Sequence, residues 1–196
     1  NFRFGRPTPE TMTIKHGFEK HDHVIFELSG TNSPTPFLIY SDPRRFGFMD
    51  LVADAQNNKY LEKLGPEPLG NEFNGFVLKD RFATRRSAVK AALLDQSVVA
   101  GLGNIYVCEA LFRAKIDPRV RAMDLVDRSD KSILRIEALT RHIKDVLAEA
   151  IIAGGSTLKD YKKEDGDTGY FQHNFMVYDR QGEPCMRKGC PGVIER

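Results

Sequence analysis

The sequence predicts an α+β fold: an antiparallel sheet, then a helical region, then a small cysteine-bearing element. Three observations carry that order. From Phe2 to about Leu51 apolar residues recur with a period of two, as in strands with one covered face. The period becomes helical after Gly65-Pro66-Glu67-Pro68-Leu69-Gly70, a run that continues neither a helix nor a central strand. Near the end, Cys185 and Cys190 flank the turn-like spacer Met186-Arg187-Lys188-Gly189. The corresponding domains are 1–66, a partial β domain; 67–170, helical; and 171–196, a partial hairpin.

Each element has its own signal. His23-Val24-Ile25-Phe26-Glu27-Leu28 and Phe37-Leu38-Ile39-Tyr40 read as strands, separated by turn chemistry at Ser29-Gly30-Thr31-Asn32-Ser33-Pro34; short turns between strands predict a meander. A helix is predicted over 87–95, capped by Ser87, with Val89, Leu93 and Leu94 as its stripe. Gly101-Leu102-Gly103 breaks the run, and Asn104 is placed to cap a second helix over 105–114. Ile133, Ile136, Leu139, Ile143, Val146, Leu147 and Ala150 mark a long amphipathic helix, which Gly154-Gly155 can stop in the left-handed conformation. The polar segment 159–169 reads as a flexible loop, and 171–178 as a strand leading into Gly182-Glu183-Pro184-Cys185.

Composition excludes more than it identifies. The chain has 196 residues, 41% hydrophobic and 29% charged, with 29 basic against 27 acidic residues and a net charge of +2. That balance does not predict a nucleic-acid partner; only local placement of the cations can. No apolar run approaches the roughly 18 residues of a membrane span. Three cysteines, an odd number, argue against a disulfide framework and for a reducing, cytoplasmic setting. Strand-like alternation at Phe2 and again at Val193-Ile194 reads as a chain cut inside folded elements at both ends.

Several constellations can carry chemistry. In Asp95-Gln96-Ser97-Val98-Val99-Ala100-Gly101-Leu102-Gly103-Asn104-Ile105-Tyr106, two glycines permit close backbone approach, and a helix then opens with unpaired amides that suit a phosphate. The plain reading is a tight connection between packed helices with Asn104 as a cap. In Tyr40-Ser41-Asp42-Pro43-Arg44-Arg45-Phe46-Gly47, two arginines offer planar forks for bases and phosphates beside an aromatic wedge. A hairpin with solvated arginines and a core Phe46 fits the same string. His21-Asp22-His23 on one strand points both imidazoles to one face, for metal or phosphate, although no third metal ligand stands at suitable spacing. The glycines near each end of 154–169 suit a lid or a linker. Cys108 lies at helical spacing with Ile105, Leu111 and Phe112, which predicts a buried core thiol.

The Asp95–Tyr106 string resembles the helix–two-turn–helix signature of formamidopyrimidine-DNA glycosylases and their endonuclease VIII relatives, and Asp-Pro-Arg-Arg-Phe-Gly resembles the intercalation loop of the former. The resemblance covers essentially the whole chain. It implies an antiparallel β-sandwich portion, a helix–two-turn–helix domain and a partial zinc-finger hairpin. Asn104 then grips the damaged strand's backbone, with Lys90 near the lesion. Glu109 fits the family pattern too, and either a helix-surface or a site role suits it. Arg44 pairs with the orphaned cytosine, Arg45 holds phosphate and Phe46 enters the stack. His21 and His23 donate to phosphate. Ser156, Thr157 and Tyr170 belong to a lid over the everted base, and Tyr178 joins the DNA contacts at the entry to the finger.

Cys185 and Cys190 stand where the family's first zinc ligands stand, but C-x4-C departs from the usual C-x-x-C, and the second pair would follow Arg196. A Zn2+ ion is therefore expected of the parent protein rather than of this chain alone. The implied partner is double-stranded DNA containing oxidised purines or abasic sites, bound by a monomer, with no membrane. The implied activity is excision of 8-oxoguanine and formamidopyrimidines with β,δ-elimination at the abasic site. The family's N-terminal proline nucleophile, its neighbouring glutamate and its catalytic lysine match nothing here, so the chain itself is expected to be inactive. Competing readings are an endonuclease VIII-type enzyme for oxidised pyrimidines, a non-catalytic DNA-binding module and a purely structural domain.

Overall fold

A computed structural model of the chain describes residues 19–29, 37–43, 45–53, 58–126, 129–155 and 170–195, and the backbone of 2–5. These fall into two compact units, one within Asn1–Ala53 and one within Asp54–Leu158 and Gly169–Arg196.

The first unit is built on a three-stranded antiparallel sheet: β1 (Phe2–Gly5), β2 (Asp22–Glu27) and β3 (Phe37–Ser41). Its order is β1-β3-β2, so the last strand lies between the other two and the predicted meander gives way to a crossover. Phe2 faces Tyr40 across one ladder and Val24 faces Tyr40 across the other. Ile39, on the central strand, is fully buried. A sandwich needs a second layer, and the described residues hold one sheet.

The second unit is helical. Its first helix, α1 (Gly75–Phe82), has no counterpart in the sequence reading; Asn74 caps it by accepting from the Phe76 and Val77 amides, and Leu78 and Phe82 are buried. The helix α2 (Val89–Leu94) is shorter than predicted, and Ser87 is not its cap. Its opening amides are satisfied elsewhere, Val89 donating to the Val120 carbonyl at 2.7 Å and Lys90 to that of Pro118 at 3.3 Å. The third helix, α3 (Asn104–Arg113), follows the glycine turn.

The longest helix, α4 (Asp130–Ile152), is capped by Ser129, which accepts from the Ser132 amide. It buries Ile136, Leu139, Ile143, Val146 and Ala150, the i, i+3, i+4 stripe the sequence displays. It stops as predicted: Gly154 and Gly155 have φ of 75° and 88°. The Gly155 amide reaches back to the Ala150 carbonyl at 2.7 Å and that of Gly154 to Ile151 at 3.0 Å, which closes a Schellman turn. Arg113 joins α3 to α4 through a two-pronged pair with Glu149 at 2.6 and 2.7 Å, which holds the Glu149 carboxyl below its ordinary range.

Residues 171–178 are not a strand. Phe171–Asn174 forms a 3₁₀ turn, and Phe171 is buried in the hydrophobic core, its ring edge-on to Phe175 with centroids 5.6 Å apart. Burying such a ring contributes roughly 1.5–3 kcal/mol. The amides that would have joined a ladder at 176–178 are taken by a carboxylate instead, as described below.

Candidate nucleic-acid interface

The turn leading into α3 is fastened at its start by charge. Asp95 Oδ1 accepts from the Ser97 amide at 2.9 Å and the Ser97 hydroxyl at 2.6 Å, while Arg85 donates to Asp95 Oδ2 at 2.6 Å. The Ser97 bonds, then the guanidinium, lower the Asp95 carboxyl to about 2. Arg81, on α1, donates to the Ser97 carbonyl at 2.6 Å. Behind the turn, a Cβ on Gly65 would lie 2.6 Å from the Val98 backbone, so close approach requires glycine there.

The turn then crosses Gly101, with φ of 70°, and opens α3. Asn104 is the first residue of that helix and not its cap: Gly103 holds the cap position, with no side-chain bond to the first turn. Among the described residues, the opening amides of α3 thus receive no capping side chain of the kind Asn74 supplies to α1. Asn104 is exposed, and its Oδ1 lies 3.7 Å from Cys108 Sγ. Cys108 is half-buried rather than a core thiol, because its side of α3 looks onto open space.

That space is a cavity of about 1100 Å³ between α2, α3 and the cysteine hairpin, lined among others by Lys90, Asn104, Cys108, Tyr178, Cys185 and Arg187. Tyr178 is set in place from beneath. Glu109, fully buried in α3, accepts the amides of Met176, Val177 and Tyr178, each at 2.9 Å. It is neither a helix-surface carboxylate nor a residue open to a ligand. Its charge is solvated by backbone dipoles, and it fixes the segment that carries Tyr178. The Tyr178 ring meets Phe175 edge-on, with centroids 5.5 Å apart. Tyr170 is 66% exposed and hydrogen-bonds through its amide to the Ala153 carbonyl at 3.0 Å.

The cysteine hairpin closes through a bridge between Pro184 and Val193 and a bond from the Cys185 amide to the Gly192 carbonyl at 2.8 Å. Arg187, between the cysteines, stacks 4.1 Å from the Phe112 ring centroid and donates to the Phe112 carbonyl. Cys190 sulfur accepts from the Gly192 amide and contacts Cys185, and together they lower its thiol's pKa. A converging pair with an amide-to-sulfur bond suits half of a tetrahedral zinc site. Among the described residues no group of three or more metal-ligating side chains occurs.

In the first unit, Asp42 shapes the loop after β3. Its carboxylate accepts from the Arg45 amide at 3.0 Å, the Gly47 amide at 2.8 Å and the Tyr40 hydroxyl at 3.2 Å. Arg45 takes the left-handed conformation, with φ of 55°, and Phe46 is 80% exposed rather than a core residue. A Cβ on Gly47 would fall 1.8 Å from Tyr40 Oη. His23 Nε2 lies 2.9 Å from the Asp42 carbonyl, which only accepts, so the ring donates. The two histidines do not alternate on one strand face: His21 precedes β2, and a bulge falls between Asp22 and Val24. Arg44, Ser156 and Thr157 lie outside the described residues, as does the loop 159–169.

Sequence reasoning did not single out Asp42, Arg81, Arg85 or Gln96 as builders of these turns. Asp42 had a signal, an Asx residue before a tight turn ending in glycine. Glu109 was marked only by the family pattern; no local signal could give its role, since its amide partners lie 67 to 69 residues away.

Comparison with known proteins supplies the relationship. Residues 64–162 match the formamidopyrimidine-DNA glycosylase H2TH domain. A formamidopyrimidine-DNA glycosylase of Allorhizobium ampelinum is 52% identical over 180 residues, 91% of this chain and 61% of that protein. One from Bradyrhizobium sp. (strain ORS 278) is 50% identical over 203 residues, 100% of this chain and 68% of that protein. The complex of a Lactococcus lactis Fpg mutant with a Fapy-dG containing DNA superposes with a TM-score of 0.79 at 32% identity, covering 100% of this chain and 65% of that one. The chain spans about three-fifths of the Allorhizobium relative's length. By these matches, the chain belongs to the formamidopyrimidine-DNA glycosylase family.

Proposed function

We propose that this chain forms the DNA-gripping part of a base-excision repair glycosylase for oxidised purines, 8-oxoguanine and formamidopyrimidines among them. One observation carries the reading: among the described residues α3 opens with amides that no side chain caps, at the edge of a cavity that Lys90 and Asn104 also line. Converging amides at a helix start bind a phosphate oxygen without needing a base. Lys90 and Asn104 then hold the damaged strand's backbone, and Tyr178 borders the same groove. Phe46, projecting from a loop that Asp42 shapes, fills the space left when a base is turned out of the stack, with Arg44 and Arg45 on the facing base and phosphate. His21 and His23 add phosphate contacts, and Ser156, Thr157 and Tyr170 belong to the lid over the extruded purine.

The finer chemistry follows the family. The parent enzyme cleaves the glycosidic bond and then the abasic strand by β,δ-elimination, acting as an AP lyase. Cys185 and Cys190 would hold two positions of a structural Zn2+ ion, which would cross-link the hairpin and take no part in bond breaking. The residues of this chain serve the binding and orienting steps. The domain pieces 1–66, 67–170 and 171–196 correspond on this reading to wedge, backbone grip and finger.

Two measurements test it. Fluorescence anisotropy with a duplex carrying an abasic-site analogue is expected to show binding that weakens roughly a hundredfold between about 50 and 200 mM salt, as for about four neutralised phosphates. Absent or salt-insensitive binding would refute the reading. Incubation with an 8-oxoguanine duplex and borohydride is expected to trap no imine, because no residue matches the family's proline nucleophile; a trapped adduct would place an active amine in this chain.

A further inference from the structure

We infer that Gln96 is the positioning residue for the backbone grip: it sets the direction in which the opening amides of α3, and with them Asn104, face the DNA. The inference rests on the DNA-binding reading above. It starts from a mechanical difficulty. The grip hangs from Gly101-Leu102-Gly103, and a Cβ on either glycine would meet nothing within 4 Å. Leu102 is buried, but the bends on both sides of it are made by residues without a side chain, each with open space at the Cβ position. The fastening by Asp95, Arg85 and Arg81 ends at Ser97 and does not reach the glycines. Gly103 contributes no side-chain cap to α3.

Gln96 spans that gap. Its Oε1 accepts from the Gly101 amide at 2.7 Å, and its Nε2 donates to the Leu102 carbonyl at 3.3 Å and to the Leu94 carbonyl, at the end of α2, at 3.2 Å. Its own carbonyl accepts from the Gly65 amide at 2.8 Å, so the residue is anchored from behind while its side chain holds the turn. The pattern of one acceptor and two donors selects a primary amide. Glutamate keeps the acceptor but turns negative charge toward two carbonyls. Methionine fills similar volume and makes none of the bonds. A protonated glutamate regains one donor. Helix-opening amides bind an anion strongly only when they converge beforehand, so order in this turn is affinity for phosphate.

The test compares the unchanged chain with Gln96→Glu and Gln96→Met, using amide hydrogen exchange of the free chain and anisotropy with the abasic-analogue duplex. Both variants are expected to speed exchange at Gly101 and to weaken DNA binding about tenfold, with melting temperatures within about 3 °C of the unchanged chain. The Gln96→Glu loss should shrink below about pH 5, as its carboxyl protonates, while that of Gln96→Met does not. In an Asn104→Ala background, Gln96→Glu should cost less than it does alone, because both act through one turn. Unchanged exchange and affinity, or a loss that follows melting temperature with no pH rescue, would overturn the inference. If the unchanged chain binds no DNA, the functional reading falls, and exchange at Gly101 decides whether Gln96 orders the turn.

Discussion

At the scale of single residues, polar side chains here act by gathering backbone amides. Asp42 collects two amides and a phenol, Asp95 an amide, a hydroxyl and a guanidinium, and Glu109 three consecutive amides. Glu109→Gln keeps the shape but turns an N–H group toward amide donors inside a dry core. Chemical denaturation is expected to show a loss of about 2–4 kcal/mol, with the segment around Tyr178 loosened first; a loss near zero would contradict the burial described. Gly47→Ala is expected to destabilise the first unit by about 1–3 kcal/mol, because its methyl meets the Tyr40 hydroxyl. Adding Tyr40→Phe should recover part of that loss, a cycle readable by thermal melts. Of this gathering only Asp42 had a local signal, its tight turn ending in glycine; elsewhere a carboxylate in a sequence does not say whether it faces water or distant amides.

At the scale of elements, legibility followed length and local signals. α4 could be read because 23 residues repeat one apolar stripe and end on Gly154-Gly155. α1 was missed because its eight residues open on glycine and bury only Leu78 and Phe82, too short a stripe to stand out. Residues 171–178 have a strand's period, yet Glu109 consumes the amides a ladder needs. The cap at Ser87 failed for a related reason, since the Val120 and Pro118 carbonyls already serve the start of α2, while Asn104 falls one residue inside α3, with Gly103 at the cap position. The Asp95 network makes a prediction at this scale. Its folded carboxyl titrates at about 2 against an ordinary 3.8, so its contribution is complete above about pH 4 and is lost as pH falls toward 2. The pair is partly exposed, so the contribution is modest. The difference in melting temperature between the unchanged chain and Asp95→Asn should therefore vanish between about pH 5 and pH 2, and a difference constant with pH would rule the network out.

At the scale of the whole molecule, the family was legible because two ordered strings, 42–47 and 95–106, each combine turn geometry with a particular chemistry. The net charge of +2 was silent, since binding depends on where cations stand. Lys90→Ala should weaken binding to all duplexes alike and lower the salt slope by about one phosphate. Asn104→Ala, which removes no charge, should weaken binding with the slope intact. Equal slopes for both would show that Lys90 is not on a phosphate. Among the described residues no helix is long and apolar enough to cross a membrane.

On the wedge role proposed for Phe46, a side chain that pries neighbouring bases apart would have to push against something. The loop bearing Phe46 springs from β3, the strand held by ladders on both flanks. Recoil from the stack would thus be shared across both seams of the sheet, where a rim strand would have only one to resist peeling. The central place of β3 would give the proposed lever its fulcrum.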